Sequence, residues 1–557
     1  MAMARMGNTA EALRLYALSG LADSANTDHL ALRARLLKDH ARTLDGAARG
    51  TAFRQASDEY AHIYRRTGAS YAGINAASLA FAAGDEDEAR RLAEEVLKAG
   101  DVDAPACYFD AATQGEALLL LGRGGDSAAA FEAALRFADA DPGSRSSTVR
   151  QLAMLAGTGR LAGTGRPIEL LSAPPVVHYC GHIFGADAAL ESRLARDFAK
   201  LLDRHGASIA FGSLAAGSDI VFAETLLERG GELHVVFPFA ADDFVAQSVA
   251  PGGASWVKRF EACLVGAASV TFASEACFVE DDEQFAYGSM LAMGMARLRA
   301  RHLETEAIQI AAWDGKPPGG AAGTAADIAR WQRIGGRSEI VPLVRPAAAP
   351  AAAIAAAPNH RFARTTRGIV FTDYAGFSRL DEAALPLFWE KILGAAAGVL
   401  DRHGGAVRSR NTWGDAVFAI VASACDAARI AVDLQEALVG VTSADPGLLA
   451  NGGMRVAVHY GPVFEGADPV TRSGSAFGTE VTRAARIEPV TPKGAVYGTL
   501  PFAAMLANEA PEEFDLLYVG RVKLAKGYGE LPMYKLTRRA MAAAAAPVAP
   551  MGVEAHG

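Results

Sequence analysis

Three patterns of apolar and polar positions follow one another along the chain. Over residues 1 to about 170, small and large apolar residues recur three and four apart, the spacing of amphipathic helices, with few strand-forming runs. The segment YAGINAASLAFAAGDEDEARRLAEEVLKAG divides into two helix-like halves around Gly84-Asp85, and GEALLLLGRGGDSAAAFEAALRFADADP does the same around Gly122 to Gly125. From 174 to about 345 the β-type runs PVVHYCG, IAFGS, LHVVFPF, SVTFAS and TEAIQIAAW alternate with helical segments. That alternation predicts a parallel sheet with helices on both faces. Prolines interrupt PAAAPAAAIAAAP, so 346–361 reads as a linker. Residues 362–538 mix strands and helices, and 539–557 reads as a disordered tail. The expected fold class is multidomain: an α-helical repeat region (1–170), an α/β parallel-sheet unit (174–345) and an α+β unit (362–538).

Composition changes this picture little. The 557 residues are too many for one core, and the 51% apolar and 21% charged shares are ordinary for globular chains. A net charge of -9 argues against a large nucleic-acid footprint, which needs a basic face. Cys107, Cys180, Cys263, Cys277 and Cys425 are scattered without a CxxC pair, which points to reduced thiols rather than a disulfide frame or zinc site. The N-terminal residues lack a continuous apolar h-region, and no apolar run is long enough to span a bilayer. The expectation is a soluble, cytoplasmic protein with no nucleic-acid or membrane partner.

The paired helical halves, about 34 residues each, resemble tetratricopeptide repeats. The phrase YAGINAAS also resembles the helical regulatory region beside some stress-activated kinases. Such stacks offer a concave groove. The resemblance implies a protein partner and a regulatory role; the alternative is a scaffold that only packs. Catalysis is not expected there, because no polar cluster recurs at a reactive spacing.

In the middle region, Gly212, Ser213, Gly217 and Ser218 form a small-residue loop between a strand-like run and a helix. A second Gly-rich loop, with Gly319, Gly320, Gly323 and Thr324, also precedes a helix. Such loops let backbone N–H groups and a helix N-terminus approach a phosphate. Neither is GxGxxG. Together they resemble the Rossmann-like families that bind nucleotide-derived ligands, related to the lysine-decarboxylase-like fold. Ligand sensing, a docking role and a second enzyme all stay open. Asp219 and Glu224 are candidate site carboxylates, with a helix-start charge and a solvated face as the plainer readings.

The chemistry concentrates in the third region. GIVFTDYAGFSRL reads as a strand that ends at Asp373 before a turn and a helix. SRNTWGDAVFAI sets Asp415 at a strand–turn–strand junction, inside an otherwise apolar run where a bare charge is costly. Two acids at turns beside strands can meet across neighbouring strands, and paired carboxylates hold hard Mg2+ or Mn2+ ions. RVAVHYGPVFEG reads as a strand and turn, with His459 a structural strand residue. SAFGTEVTRAARIEP reads as a loop entering a helix that carries Thr482 and Arg486 on one face. YVGRVKLAKGYGELPMYKL closes the unit as two strands, with Lys526 near the turn.

These five pieces, in this order, resemble the catalytic domain of the class III nucleotidyl cyclases, the adenylate and guanylate cyclases, whose fold is a ferredoxin-like βαββαβ. The resemblance implies that Asp373, Asp415 and the backbone carbonyl of Tyr374 hold two Mg2+ or Mn2+ ions per site. It implies that Arg486 stabilises the phosphate in transfer and that Lys526 meets the terminal phosphates. Thr482 stands where most members carry a ribose-orienting asparagine; a hydroxyl still offers one hydrogen bond. Asn411 and Ser475 occupy the base-reading positions and match neither the usual adenine pair nor the usual guanine pair. ATP is the first candidate among nucleoside triphosphate substrates. In this family the site forms between two domains, so the resemblance implies a homodimer. The competing expectation is a catalytically reduced, nucleotide-binding relative acting in signalling or assembly.

Overall fold

The computed structural model describes residues 9–344, 363–444 and 453–539, apart from the single positions 25, 43, 45 and 280. The predicted linker 346–361 lies outside the described residues, as does the predicted tail from 540 onward.

The N-terminal unit is built of antiparallel helix pairs, among them α1 (Ser70–Ala83), α2 (Glu86–Val96), α3 (Tyr108–Leu120) and α4 (Gly124–Ala134). Local chemistry sets the first corner. Gly84 closes α1 in the left-handed conformation at φ 98°, and the Asp85 side chain caps α2 by accepting the Glu88 N–H at 3.1 Å. Both sequence echoes use a glycine to bring their helices together. A Cβ on Gly73 would lie 2.5 Å from Val96, and one on Gly115 would lie 2.9 Å from Phe131.

The middle unit is a six-stranded parallel sheet. Its strands are β1 (Val176–Gly181), β2 (Ile209–Gly212), β3 (Glu232–Phe237), β4 (Ser269–Phe272), β5 (Ala307–Trp313) and β6 (Arg337–Pro342), in spatial order β4-β3-β2-β1-β5-β6. All five expected strands are present. β6 was not foreseen, because Arg337, Ser338 and Glu339 break its apolar pattern on the sheet edge. Helices α5 (Ala188–His205), α6 (Ser218–Leu227) and α7 (Ala254–Gly266) share one core with one face of the sheet. Helix α8 (Asp282–His302) packs on the other face, where α9 (Thr324–Arg333) also lies. The strand order reverses between β1 and β5, the place where a parallel sheet opens a crevice at its C-terminal edge.

The C-terminal unit is an eight-stranded sheet. It begins with β7 (Ala363–Ala375), helix α10 (Gly394–Arg402), the hairpin β8 (Val407–Trp413) and β9 (Ala416–Val421), helix α11 (Ala424–Ala444) and β10 (Gly453–Ala467). These make a βαββαβ core with order β10-β7-β9-β8 and antiparallel neighbours, as the ferredoxin-like expectation requires. Strand β7 runs two residues past Asp373 instead of ending there. The remainder is β11 (Gly474–Phe477), α12 (Thr479–Ile487), β12 (Val496–Thr499), α13 (Leu500–Glu509), β13 (Phe514–Lys523) and β14 (Glu530–Arg538).

The middle and C-terminal units share one hydrophobic core. Residues of α8, including Leu291 and Ala292, lie in the same cluster as Phe502 and Met505 of α13 and Ala427 of α11. Close approach depends on Gly294, where a Cβ would sit 2.2 Å from the Ala504 carbonyl. Asn508 donates to the Met290 carbonyl at 3.0 Å, and Arg301 to the Phe514 carbonyl at 2.9 Å. Arg150 of the helical unit donates to the His302 carbonyl at the end of α8 at 2.7 Å. Among the described residues, no helix is long and apolar enough to cross a membrane.

Candidate active site

Antiparallel pairing brings the two acids together. Asp373 lies near the end of β7, and Asp415 follows Gly414, whose φ of 61° makes the tight β8–β9 turn. Burial pushes the Asp415 carboxyl above its ordinary value, and the neighbouring Asp373 carboxylate pushes it the same way, while the Tyr374 backbone N–H bonds to it. The Tyr374 ring packs edge-on against Phe388 at 5.0 Å in the core, so only its backbone faces this site.

Two residues that sequence reasoning passed over complete the cluster. Arg455 stands opposite Asp373 in the β10–β7 register, and its Nη2 lies 2.5 Å from Asp373 Oδ2. Its Nε lies 2.9 Å from Glu488 Oε1, just after α12. Burial, with help from Asp373, raises the Glu488 carboxyl to about 7. Arg455 thus contacts Asp373 and Glu488 while Asp415 lies against Asp373, three acids to one guanidinium, which favours a cation. Arg455 and Glu488 both fall inside the quoted motifs RVAVHYG and ARIEP; the charge of Arg455 in a strand-like run was the available clue.

Hard oxygen donors from Asp373 and Asp415, held side by side at the β8–β9 turn, suit Mg2+ or Mn2+. Among the described residues, no three carboxylate, imidazole or thiol groups are disposed as a ready metal cage. The fit therefore rests on two carboxylates and backbone oxygen.

The other expected residues gather separately. Thr482 and Arg486 lie on α12, as the spacing predicts. The Thr482 hydroxyl is 3.5 Å from the Gly478 carbonyl, a long contact that leaves it largely uncommitted. Arg486 lies over the Tyr528 ring at 5.7 Å, and its buried Nε has no hydrogen-bond partner among the described residues. Tyr528 belongs to the β13–β14 turn with Lys526, which is exposed at φ 58°. Ser475 lies on β11, half-buried and opposite Gly466. Asn411 lies exposed on β8, its Oδ1 accepting the Thr412 N–H at 2.8 Å.

In the middle unit both small-residue loops lie at the C-terminal edge of the parallel sheet. Their residues differ in use. Gly212 is a packing glycine, since a Cβ would sit 2.6 Å from the Tyr179 ring. Gly217 takes φ 94° against the Phe184 backbone, and the Ser218 hydroxyl donates to the His182 carbonyl at 2.9 Å. Ser213 Oγ and Asp219 Oδ1 are buried without a hydrogen-bond partner among the described residues. Gly320 lies near Asp282, and Gly323, at φ 101°, precedes buried Thr324 at the start of α9. Glu224 is bound bidentately by Arg259 at 2.6 and 2.7 Å, a surface brace between helices.

Residues 363–538 match the family model described as the adenylate and guanylate cyclase catalytic domain. No curated protein matches the chain. Among solved structures, the adenylyl cyclase CyaB from P. aeruginosa is 16% identical, covering 33% of this chain and 98% of that one, at a TM-score of 0.27. The guanylyl cyclase domain of the RhoGC fusion protein from the aquatic fungus Blastocladiella emersonii is 18% identical, covering 32% and 99%, at 0.27. The guanylyl cyclase Cya2 is 20% identical, covering 31% and 93%, at 0.26. These likenesses carry no argument beyond the family match.

Proposed function

We propose that the C-terminal unit, which matches the adenylate and guanylate cyclase catalytic domain, converts a nucleoside triphosphate, ATP first, to its 3′,5′-cyclic nucleotide and pyrophosphate. The observation that carries this reading is the meeting of Asp373 and Asp415 at the junction of β7 and the β8–β9 turn, where burial and the Asp373 charge push the Asp415 carboxyl up. Bound Mg2+ or Mn2+, held by Asp373, Asp415 and the Tyr374 carbonyl, would supply Lewis-acid polarisation of the ribose 3′-oxygen and the triphosphate. In the reaction the 3′-oxygen bonds the α-phosphorus, the bond to the β-bridging oxygen breaks, and the hydroxyl proton is lost. Arg486, whose buried Nε has no hydrogen-bond partner among the described residues, would meet the charge that develops on the transferring phosphate. Thr482 would hydrogen-bond the ribose, Lys526 the terminal phosphates, and Asn411 and Ser475 the base edge.

The site is read as shared between two copies of the chain. Arg486 lies over Tyr528 at the turn that carries Lys526, while Asp373 is held by Arg455 at the end of β7. Trp413, Phe477 and Tyr528 are 58%, 45% and 43% exposed, aromatic surface of the C-terminal unit that suits a second copy. A nucleotide-derived ligand at the crevice of the middle unit and a protein partner on the helical hairpins are proposed as inputs.

A catalytically reduced reading is favoured by one observation: Asn411 already spends its side-chain carbonyl on its own neighbour's N–H. The deciding experiment offers ATP, GTP, CTP and UTP separately to the purified full-length protein with Mn2+, with Asp415→Ala as control. One cyclic product, absent from the variant, supports the cyclase. No product from any of the four supports the reduced, nucleotide-binding reading.

A further inference from the structure

Helix α12 has few anchors. It is nine residues long, and its buried positions are Glu480, Ala484 and Ile487. These fall on one face at i, i+4 and i+7, while Thr482 and Arg486 lie round the other side. Ala484 and Ile487, with Val481 and Ala485 partly buried on the same core, fix depth better than they fix rotation about the helix axis. The third anchor is a carboxylate only 3% exposed, which is costly unless it is fully bonded.

It is fully bonded. His459 Nε2 lies 2.7 Å from Glu480 Oε2, and Arg483 Nη1 lies 2.9 Å from the same oxygen. Gly461 makes the room, since a Cβ there would sit 2.8 Å from Glu480 Cγ. Burial pushes the Glu480 carboxyl up, but the His459 hydrogen bond and the Arg483 charge outweigh it and hold the group below its ordinary value. Burial keeps His459 neutral by pushing it down. A neutral ring donating from Nε2 accepts at Nδ1 from the Thr499 hydroxyl at 2.6 Å, and Thr499 caps α13. The next residue on β10, Tyr460, accepts through its carbonyl the hydroxyl of Tyr287 on α8, at 3.0 Å and fully buried. A hydrogen-bonded path thus runs from α8 of the parallel-sheet unit to the helix that carries Thr482 and Arg486.

We propose that Glu480, gripped by His459, is the positioning residue that fixes the rotation of α12 and hence the pose of Thr482 and Arg486, and that Tyr287 ties that pose to α8. The proposal rests on the cyclase reading for its catalytic consequence, but not for its structural one.

Two volume-conserving variants of the full chain test it, with hydrogen exchange read beside kinetics. Glu480→Gln removes the charge that Arg483 and His459 share. It should lower kcat about tenfold while the KM for nucleotide moves less than about twofold. Amide exchange over 479–487 should rise about tenfold. Tyr287→Phe should raise exchange at 458–461 and 479–487 and leave 500–509 unchanged, because the ring still packs on α8. A lower Tm in Glu480→Gln with unchanged kcat and unchanged exchange over 479–487 would reduce Glu480 to packing and overturn the first half. Unchanged exchange over 479–487 in Tyr287→Phe overturns the second. If the unaltered protein makes no cyclic nucleotide, the cyclase reading fails by itself, and the exchange pattern still decides whether Glu480 and Tyr287 hold α12.

Discussion

Arg455 faces Asp373 directly across the β10–β7 register, 2.5 Å from its carboxylate, and reaches Glu488 with the other side of its guanidinium at 2.9 Å. One fixed cation thus holds two acids, and a third, Asp415, leans on the first. Arg455→Gln should lower stability without divalent metal by about 2 kcal/mol, the worth of a charged hydrogen bond. Added Mn2+ should restore more stability to this variant than it adds to the unaltered chain. Thermal melts with and without Mn2+ check both statements; equal Mn2+ shifts would separate Arg455 from the cation site.

Asp373→Asn keeps shape and a hydrogen-bond acceptor but removes one charge. Cyclic nucleotide production should fall about 100-fold or more, on the scale of losing a major electrostatic contact to the reacting groups. The melting temperature without metal should fall about as far as in Arg455→Gln, since the same charged contact is lost. A product assay beside a melt reads the two effects separately.

Thr482→Asn lengthens the side chain on the free face of α12. If the hydroxyl now makes one ribose contact at less than ideal reach, the amide should raise kcat about fivefold, the worth of one net hydrogen bond. An unchanged or lower rate would show that Thr482 is matched to its surroundings.

Asp327, buried near the crevice of the middle unit, accepts from Ser289 of α8 at 2.9 Å and pairs with Arg330 at 3.1 Å. Burial nevertheless raises its carboxyl from 3.8 to about 6. The folded state therefore binds its proton more tightly than the unfolded state. That contribution to stability is full below 3.8 and is lost as pH rises to about 6, at most about 3 kcal/mol. Asp327→Asn should be more stable than the unaltered chain at pH 7.5, with the advantage shrinking as pH falls through 6. Urea melts across that range measure it.

Gly294→Ala tests the seam between the two sheet units. Its Cβ would lie 2.2 Å from the Ala504 carbonyl, so α8 and α13 must part. The expected cost is about 1–3 kcal/mol, the usual range for overpacking, read as a lower denaturation midpoint.

The sequence by itself determined whatever depends on neighbours along the chain. Gly84-Asp85 fixed a helix corner because a left-handed stop and a side-chain cap act within a few residues. Apolar β-type runs between helical segments marked five of six parallel strands, and the turn at Gly414 set Asp415 where a strand pair would need it. Helix α8 also left a trace, since AYGSMLAMGMA is apolar on every side, as a helix packed between two units must be.

Tertiary structure decided the pairings that no period announces. Arg455 and Asp373 meet through strand register 82 residues apart, His459 and Glu480 through a glycine-made gap, and Tyr287 and Tyr460 across 173 residues. A polar residue within an apolar strand states that it requires a partner. Which partner it finds depends on how distant segments pack, and that is fixed only when the whole core closes.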